Sequence, residues 1–451
     1  MKQFVFCTAR MLLPFLPDSS RRFGSLVLTV LALTSTGCTA GGGGAMTPLS
    51  LVPPGQGISF PREYFGMHIH NADKPGHWPT TPFGTWRLWD ADVSWANLQP
   101  ARDKWDFRKL DSYVDKAQSA GVSVLLPLAR TPNWASARPT EHSPYGPGQA
   151  AEPASIEDWR NYVRTVASRY RGRIPAYQIW NEANLPMFWT GSIPKLVELT
   201  RVAHEEIKRI DPSAMLVSPS ATGLDAARIG WVRSFLDAGG ASAVDVVSYH
   251  LYDRDNPPES MIPSVLAMRA QLQAGGYAAK PLWNTEAGLV INNIKPTRGD
   301  AWNEDWLKQR LEPGRAADYL MRAFLISRAL GFERYYWYAW DNRWLGLIEP
   351  ADLSPKAPAK AYAHAMGYLM RSTLERCDRD ADGLWVCRLR MANGLPAQAL
   401  WMDPAAPSQR KEVPRPFSGK VVSFDGERSV EAPANATLSI GPGVSLIVQV
   451  P

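Results

Sequence analysis

Apolar and polar positions in this chain follow two periods, and the change from one to the other marks its parts. From Pro61 onward, short apolar runs alternate with stretches in which apolar residues recur every three or four positions. The runs are Tyr64–Ile69, Thr85–Trp89, Val122–Leu128, Ala176–Trp180, Met215–Ser218, Val244–Tyr249, Leu282–Asn284 and Tyr335–Trp340. Continuous runs of this length read as strands buried on both faces, as in a parallel sheet. Between them lie amphipathic helices. Phe107, Leu110, Tyr113, Val114, Ala117 and Ala120 share one face, with Gly121 where a C-terminal cap belongs. Ile193, Leu196, Val197, Thr200, Ala203, Ile207 and Ile210 form a second stripe, with Pro194 in the first turn and Pro212 past the last. Tyr319 to Gly331 gives a third.

Strand and helix in eightfold alternation predict an α/β fold, a (β/α)8 TIM barrel over residues 61–373. An open doubly wound sheet is the competitor, but no Gly-rich dinucleotide turn follows the first run. From about Leu374 the period shortens to two, with Gly, Pro and Asp between the runs. Residues 374–451 are therefore predicted to be a small all-β, sandwich-like module that supports the barrel. Two connections leaving C-terminal strand ends, Thr131–Ala154 and Ala287–Leu311, exceed ordinary loop length and suit cleft walls. The second carries Trp302 and Trp306.

The N-terminus reads differently. Lys2, Arg10, Arg21 and Arg22 precede Ser25–Leu33, an apolar segment too short to anchor in a bilayer. It runs into Ser35-Thr36-Gly37-Cys38, similar to a bacterial lipobox with Ser35 where Leu is usual. Residues 1–38 are thus expected to be an export signal of lipoprotein type, with Cys38 lipidated; a signal cleaved near Ala40 is the alternative. Residues 39–60, rich in Gly and Pro, read as a flexible tether. The chain would then be exported, either held in the periplasm or at the outer membrane by its lipid or secreted.

Cysteine use agrees with export. Cys377 and Cys387 flank Asp382-Gly383, a hairpin signal, and would face each other as a disulfide. The net charge of +6 is spread along the chain, so no nucleic-acid patch is expected. No metal site, no cofactor and a monomeric state are expected. Eighteen Trp residues are a high count; some will be core, but flat rings also stack on sugar faces, and the number alone does not decide between the readings.

Two of the apolar runs end in the same way. Tyr177-Gln178-Ile179-Trp180-Asn181-Glu182 and Leu282-Trp283-Asn284-Thr285-Glu286 each close on a carboxylate at a strand C-terminus, where barrels bind their ligands. Two such carboxylates across one cleft are what glycosidic cleavage needs. Around them stand Arg87-Leu88-Trp89-Asp90 with Trp95, Thr131-Pro132-Asn133-Trp134, and Ser248-Tyr249-His250-Leu251-Tyr252. On these motifs the chain resembles the retaining glycoside hydrolases of clan A, nearest to family 39, and is similar to bacterial endoglycosidases that act on biofilm exopolysaccharide. Ala183 departs from the Pro that the clan usually shows after its acid.

The resemblance implies Glu182 as general acid and base and Glu286 as nucleophile. Arg87 would keep the nucleophile ionised, and Asn181 would bond the sugar 2-hydroxyl, unless it only shapes the turn. Tyr252 would hold the nucleophile carboxylate, while His250 and His68 would contact substrate or sit satisfied in the core. Trp340 is the expected sugar platform and Trp134 a second one; Trp337 and Trp344 read equally well as core. The long connections favour an open, endo-acting cleft on a polysaccharide. A transglycosylase with the same carboxylates, or a non-catalytic carbohydrate-binding matrix protein, are the rivals.

Overall fold

In the computed structural model, residues 45–52, 55–252, 256–295, 310–423, 429–432 and 436–449 are described. The expected signal, Cys38, and Trp302 and Trp306 lie outside them. Two short strands come first, β1 (Leu49–Ser50) and β2 (Ile58–Ser59). The barrel strands follow: β3 (Phe65–Met67), β4 (Thr85–Arg87), β5 (Ser123–Leu128), β6 (Ala176–Ile179), β7 (Met215–Val217) with its continuation β8 (Ala221–Thr222), β9 (Val247–His250), β10 (Leu282–Ala287) and β11 (Phe332–Trp337). Every predicted run overlaps one of them, though β9, β10 and β11 extend beyond the runs Val244–Tyr249, Leu282–Asn284 and Tyr335–Trp340.

All neighbours in this sheet pair in parallel, in the order β7-β6-β5-β4-β3-β11-β10-β9-β8. The ring closes where Val217 bridges Val246 and Ser218 N donates to Val246 O at 2.9 Å. Helices cover the outside, so the strands are largely buried on both faces, which is why the runs are mostly apolar. The interior is layered with period two along each strand. Leu125, Ala176, Val217, Val246, Trp283 and Tyr336 come from opposite sides of the ring yet form one apolar cluster, which only the interior permits. Two residues further along, the inner positions turn polar: Gln178, Ser248 and Thr285, all fully buried. That polar floor carries the site.

The helices form where the periodicity placed them. Arg108–Ser119 (α2, after the short α1 at Trp95–Leu98) buries Leu110, Tyr113, Val114 and Ala117, and Gly121 follows at φ +62°. Ile156–Arg169 is α3. Helix α4, Ile193–Ile210, starts on Ser192, whose side chain accepts from Lys195 N. Helices α5 (Ala226–Asp237) and α6 (Ile262–Ala274) complete the far side. Helix α7, Pro313–Ala329, is buried on nearly all sides because it lies between the barrel and the β module. Its Phe324 packs edge-on against Phe65, Tyr335 and Tyr362. Helix α8, Ala357–Leu369, precedes the module.

The module is antiparallel. Strands β12 (Thr373–Arg379), β13 (Leu384–Arg390), β14 (Pro396–Met402), β19 (Ser445–Gln449), β16 (Gly419–Ser423) and β17 (Ser429–Ala432) make one sheet, and β15 (Lys411–Pro414) with β18 (Thr437–Ile440) makes a ribbon. Alternation decides which face goes where. Trp385, Cys387, Leu389, Ala399 and Trp401 join the main core, whereas Leu384, Leu400 and Met402 pack with Ile440 and Val413 of the ribbon. Among the described residues the sandwich is thus asymmetric, its second layer two strands wide.

One boundary moves. The stretch expected as tether contributes β1 and β2, both antiparallel to β12, and buries Val52 and Phe60 completely. The Gly and Pro content of the stretch masked these few apolar residues. Cys377 and Cys387 are opposed in register on β12 and β13 and form a disulfide.

Candidate active site

Arg87 ends β4 with no exposed surface. Its guanidinium donates from Nε to Gln178 Oε1 at 2.7 Å, from Nη2 to Asn181 Oδ1 at 2.7 Å and from Nη1 to Glu286 Oε2 at 2.8 Å. A buried cation with three acceptors in the plane of its fork is held rigidly. Glu286, the last residue but one of β10, receives a second bond on its other oxygen from Tyr252 at 2.9 Å.

Past β6 the chain turns sharply, with Trp180 at φ +55° and Glu182 at φ +39°, a region that L-residues with side chains avoid. The turn is pinned by Trp180 Nε1 donating to Phe188 O at 2.5 Å, and by Ala183 N donating to Ser220 O at 3.1 Å. It leaves Asn181 and Glu182 facing the strand ends. His250 Nδ1 lies 2.9 Å from Glu182 Oε1, and its Nε2 lies 3.1 Å from Thr285 Oγ1.

Glu182, His250 and Glu286 each present an oxygen or nitrogen within 4.8 Å of the other two. Among the described residues this trio is compact enough to hold a metal ion, but both ring nitrogens of His250 are already engaged within the protein. Burial raises both carboxyls. Glu182 is pushed up to about 7, with Thr222 and Arg87 pulling the other way and Asp90 adding to the rise. Glu286 is also raised by burial, with Glu182 and Asp90 adding to the rise and the Arg87 charge opposing it. Burial lowers His250 to about 3, so its imidazole is neutral.

A cavity of ≈ 530 Å³ opens over the pair. Asn181, Glu182, Tyr252 and Glu286 line it, together with Trp89, Asp90, Tyr145, Phe188, Tyr338 and Trp344. Asp90, at φ +56°, accepts from Tyr145 Oη at 2.8 Å and from Tyr338 Oη at 2.7 Å. Tyr145 comes from the long Thr131–Ala154 connection, which therefore forms part of the wall.

Several expected contacts are placed elsewhere. Trp340 is buried and absent from the cavity wall. Trp134 donates to Gln99 O and stacks under Arg102, away from the cavity. The platform positions belong to Trp89, Tyr145, Phe188, Tyr338 and Trp344 instead. His68 is buried behind Glu286, bonding Thr285 O at 3.1 Å through Nε2, and His250 is equally enclosed. Both histidines touch the site's own residues and line no open space. Asp90 stood in a motif already singled out, beside Trp89, but nothing in the sequence paired it with Tyr145 and Tyr338.

The comparisons agree with this geometry. Residues 87–287 match the model of the family described as Glycosyl hydrolases family 39. A β-xylosidase of Geobacillus stearothermophilus is 24% identical over 242 residues, 48% of this chain and 47% of that protein. The match therefore spans about half the length of that relative. Among solved structures, a glucosidase from Croceicoccus marinus superposes with a TM-score of 0.62 at 14% identity, covering 89% of this chain and 98% of that one. A family 39 β-xylosidase from Caulobacter crescentus gives 0.59 at 18% identity, covering 87% and 98%. At those identities the likeness is one of fold. The chain is thus similar to family 39 glycosyl hydrolases across the strands that carry both carboxylates, and it shares its barrel fold with these structures.

Proposed function

We propose that this protein is a retaining glycoside hydrolase whose acid and base is Glu182 and whose nucleophile is Glu286. The observation that carries the reading is the spacing of the two carboxyls, with oxygens within 4.8 Å of each other. Direct attack at an anomeric carbon needs a separation of about 5–5.5 Å, whereas an intervening water needs about 6.5–9.5 Å. Their surroundings divide the roles. Glu286 accepts from a guanidinium and a phenol, donors that favour its anion. Glu182 lacks an ion pair of that kind and is held near neutrality by burial, which suits a group that gives and takes a proton.

In the first step a Glu286 oxygen bonds to the anomeric carbon as the glycosidic bond breaks, and Glu182 delivers its proton to the departing oxygen. In the second, Glu182 takes a proton from water, whose oxygen displaces Glu286. Loss of the Glu286 charge in the glycosyl-enzyme removes a repulsion from Glu182 and lowers its pKa for the second role.

The substrate we propose is a polysaccharide outside the cell. The aromatic walls suit sugar faces, the long Thr131–Ala154 and Ala287–Leu311 connections favour an open endo-acting cleft, and Ser25–Leu33 leading to Cys38 supports export with a lipid anchor. The relative named as a β-xylosidase supports terminal xylosides as the second substrate to test. Purified protein incubated with a panel of exopolysaccharides, xylans and aryl xylosides, with product sizes read by mass spectrometry, separates these. A ladder of oligosaccharides supports endo action, and released monosaccharide supports exo action. Binding with no bond cleaved on any member would leave a carbohydrate-binding protein.

A further inference from the structure

The polar floor beneath the two carboxyls is one chain of hydrogen bonds whose direction is dictated from its Arg87 end. A guanidinium only donates, so the Gln178 atom 2.7 Å from Arg87 Nε is the amide oxygen. The Gln178 nitrogen therefore points the other way, and donates to Ser248 Oγ at 3.0 Å and to Thr285 Oγ1 at 3.1 Å. Thr285 Oγ1 thus accepts. Its own hydrogen needs an acceptor, and His250 Nε2, 3.1 Å away, is the acceptor within reach. A neutral imidazole that accepts at Nε2 carries its hydrogen on Nδ1, and Nδ1 faces Glu182 Oε1 at 2.9 Å.

We propose that Gln178 and Thr285 are positioning residues that fix His250 as its Nδ1–H tautomer, so that the imidazole donates to Glu182. This rests on the reading of Glu182 as acid and base. None of the three lines the cavity, and all are fully buried, so they act on the reaction through their neighbours: Thr285 and His250 toward Glu182, and Gln178 also toward Arg87.

The polarity matters in both half-reactions. While Glu182 is protonated, the N–H on Oε1 leaves Oε2 to carry the acid proton. Once Glu182 is ionised, the same N–H stabilises its charge. The reversed tautomer would present a bare Nδ1, and the carboxyl would spend its proton on the imidazole. The other groups acting on Glu182 are Thr222, Arg87 and Asp90, and Glu286 stands opposite, so the relay is one of several influences on its titration. Low imidazole basicity accords with this arrangement, because a protonated His250 would donate from both nitrogens whatever Thr285 did.

The test reads the tautomer first. Ring 15N spectroscopy of the full chain with labelled histidine, assigned with His250→Gln, is expected to find the proton on Nδ1. In Gln178→Glu the new carboxylate would accept from both Arg87 and Thr285, turning the threonine hydrogen away and moving the His250 proton to Nε2. Thr285→Val removes the hydroxyl with little change of shape. In Thr285→Val kcat/KM for a glycoside with a poor leaving group should fall roughly tenfold, while that for an acidic phenol leaving group stays within about twofold. Gln178→Glu also touches Arg87, so it is read by the tautomer and not by rate. A proton on Nε2 in the unaltered chain overturns the proposal, as does a tautomer that ignores Gln178→Glu. Equal losses on both substrates in Thr285→Val would reduce Thr285 to a structural part. If the unaltered protein cleaves no glycoside, the proposed function fails, and the 15N result still decides the relay.

Discussion

Arg87 and Glu286 meet at 2.8 Å with the arginine wholly buried, and every donor group of that guanidinium is engaged by a side chain of the site. The pair joins the end of β4 to the end of β10 across the barrel. Removing the cation would leave a buried carboxylate with Tyr252 as its donor, and its pKa would climb further. Arg87→Met should therefore lower kcat/KM by about 10²–10³, and raise the lower limb of the pH profile in whatever activity remains. Steady-state rates from pH 4 to 9 check this. A lower limb that stays in place would show that Arg87 does not hold the nucleophile ionised.

The assignment of the two carboxyls has a stereochemical test. Glu182→Ala should still form a glycosyl-enzyme from an aryl glycoside with an acidic phenol, then stall. Azide needs no base, so it should restart turnover and give a glycosyl azide of retained configuration. Glu286→Ala should be inactive on every substrate until azide enters the emptied space and gives the inverted product. NMR of the two products decides, and the opposite pattern would exchange the roles.

The raised Glu182 carboxyl also makes a statement about stability. A carboxyl whose folded pKa lies above its unfolded value costs nothing while protonated. It destabilises increasingly as pH rises from the unfolded value of 4.5 through about 7. Glu182→Gln keeps the shape and cannot ionise, so it should match the parent near pH 4 and exceed it by about 2 kcal/mol near pH 8. Denaturant unfolding at the two pH values measures the difference, and equal stability at pH 8 would contradict a buried ionisable Glu182.

Cavity lining and burial predict opposite outcomes for tryptophans that look alike in the sequence. Trp89 and Trp344 line the cavity, whereas Trp134 packs under Arg102. Trp89→Ala and Trp344→Ala should raise KM by about five- to thirtyfold through lost stacking, and Trp134→Ala should leave KM unchanged. A KM that rises only in Trp134→Ala would put the substrate outside this cavity.

Barrel and β module are locked by a buried group of the opposite kind. Trp401 Nε1 donates to Glu259 Oε1 at 2.6 Å, with Arg322 Nη1 3.4 Å from the same oxygen. Glu259→Ala should cost about 3–5 kcal/mol, because it strands the Arg322 charge between α7 and the sheet. Glu259→Ala with Arg322→Met should recover most of that, as read by thermal unfolding. A double variant no more stable than Glu259→Ala alone would exclude a charge effect.

The barrel was legible in the sequence because most of each strand must be apolar on both faces, and each helix along one stripe. Those periods survive in one dimension. Glu182 and Glu286 were legible for the same reason: a carboxylate closing an apolar run sits at the strand end where the cleft must be. What only the tertiary structure decided is which side chains meet across the ring. Gln178, Thr285 and His250 lie on three strands far apart in sequence, and their hydrogen bonds exist only because the closed barrel points them at one axis. The aromatic platforms went astray similarly. Trp340 occupies the next position but one after Tyr338, yet one is packed in the core and the other walls the cavity, a choice made by how the chain turns after β11. Asp90 gained its role from two tyrosines on distant segments, and β1 and β2 became strands only because the edge of β12 was open to pair with them. Periodicity records which face of an element is covered, and it carries no information about what covers it.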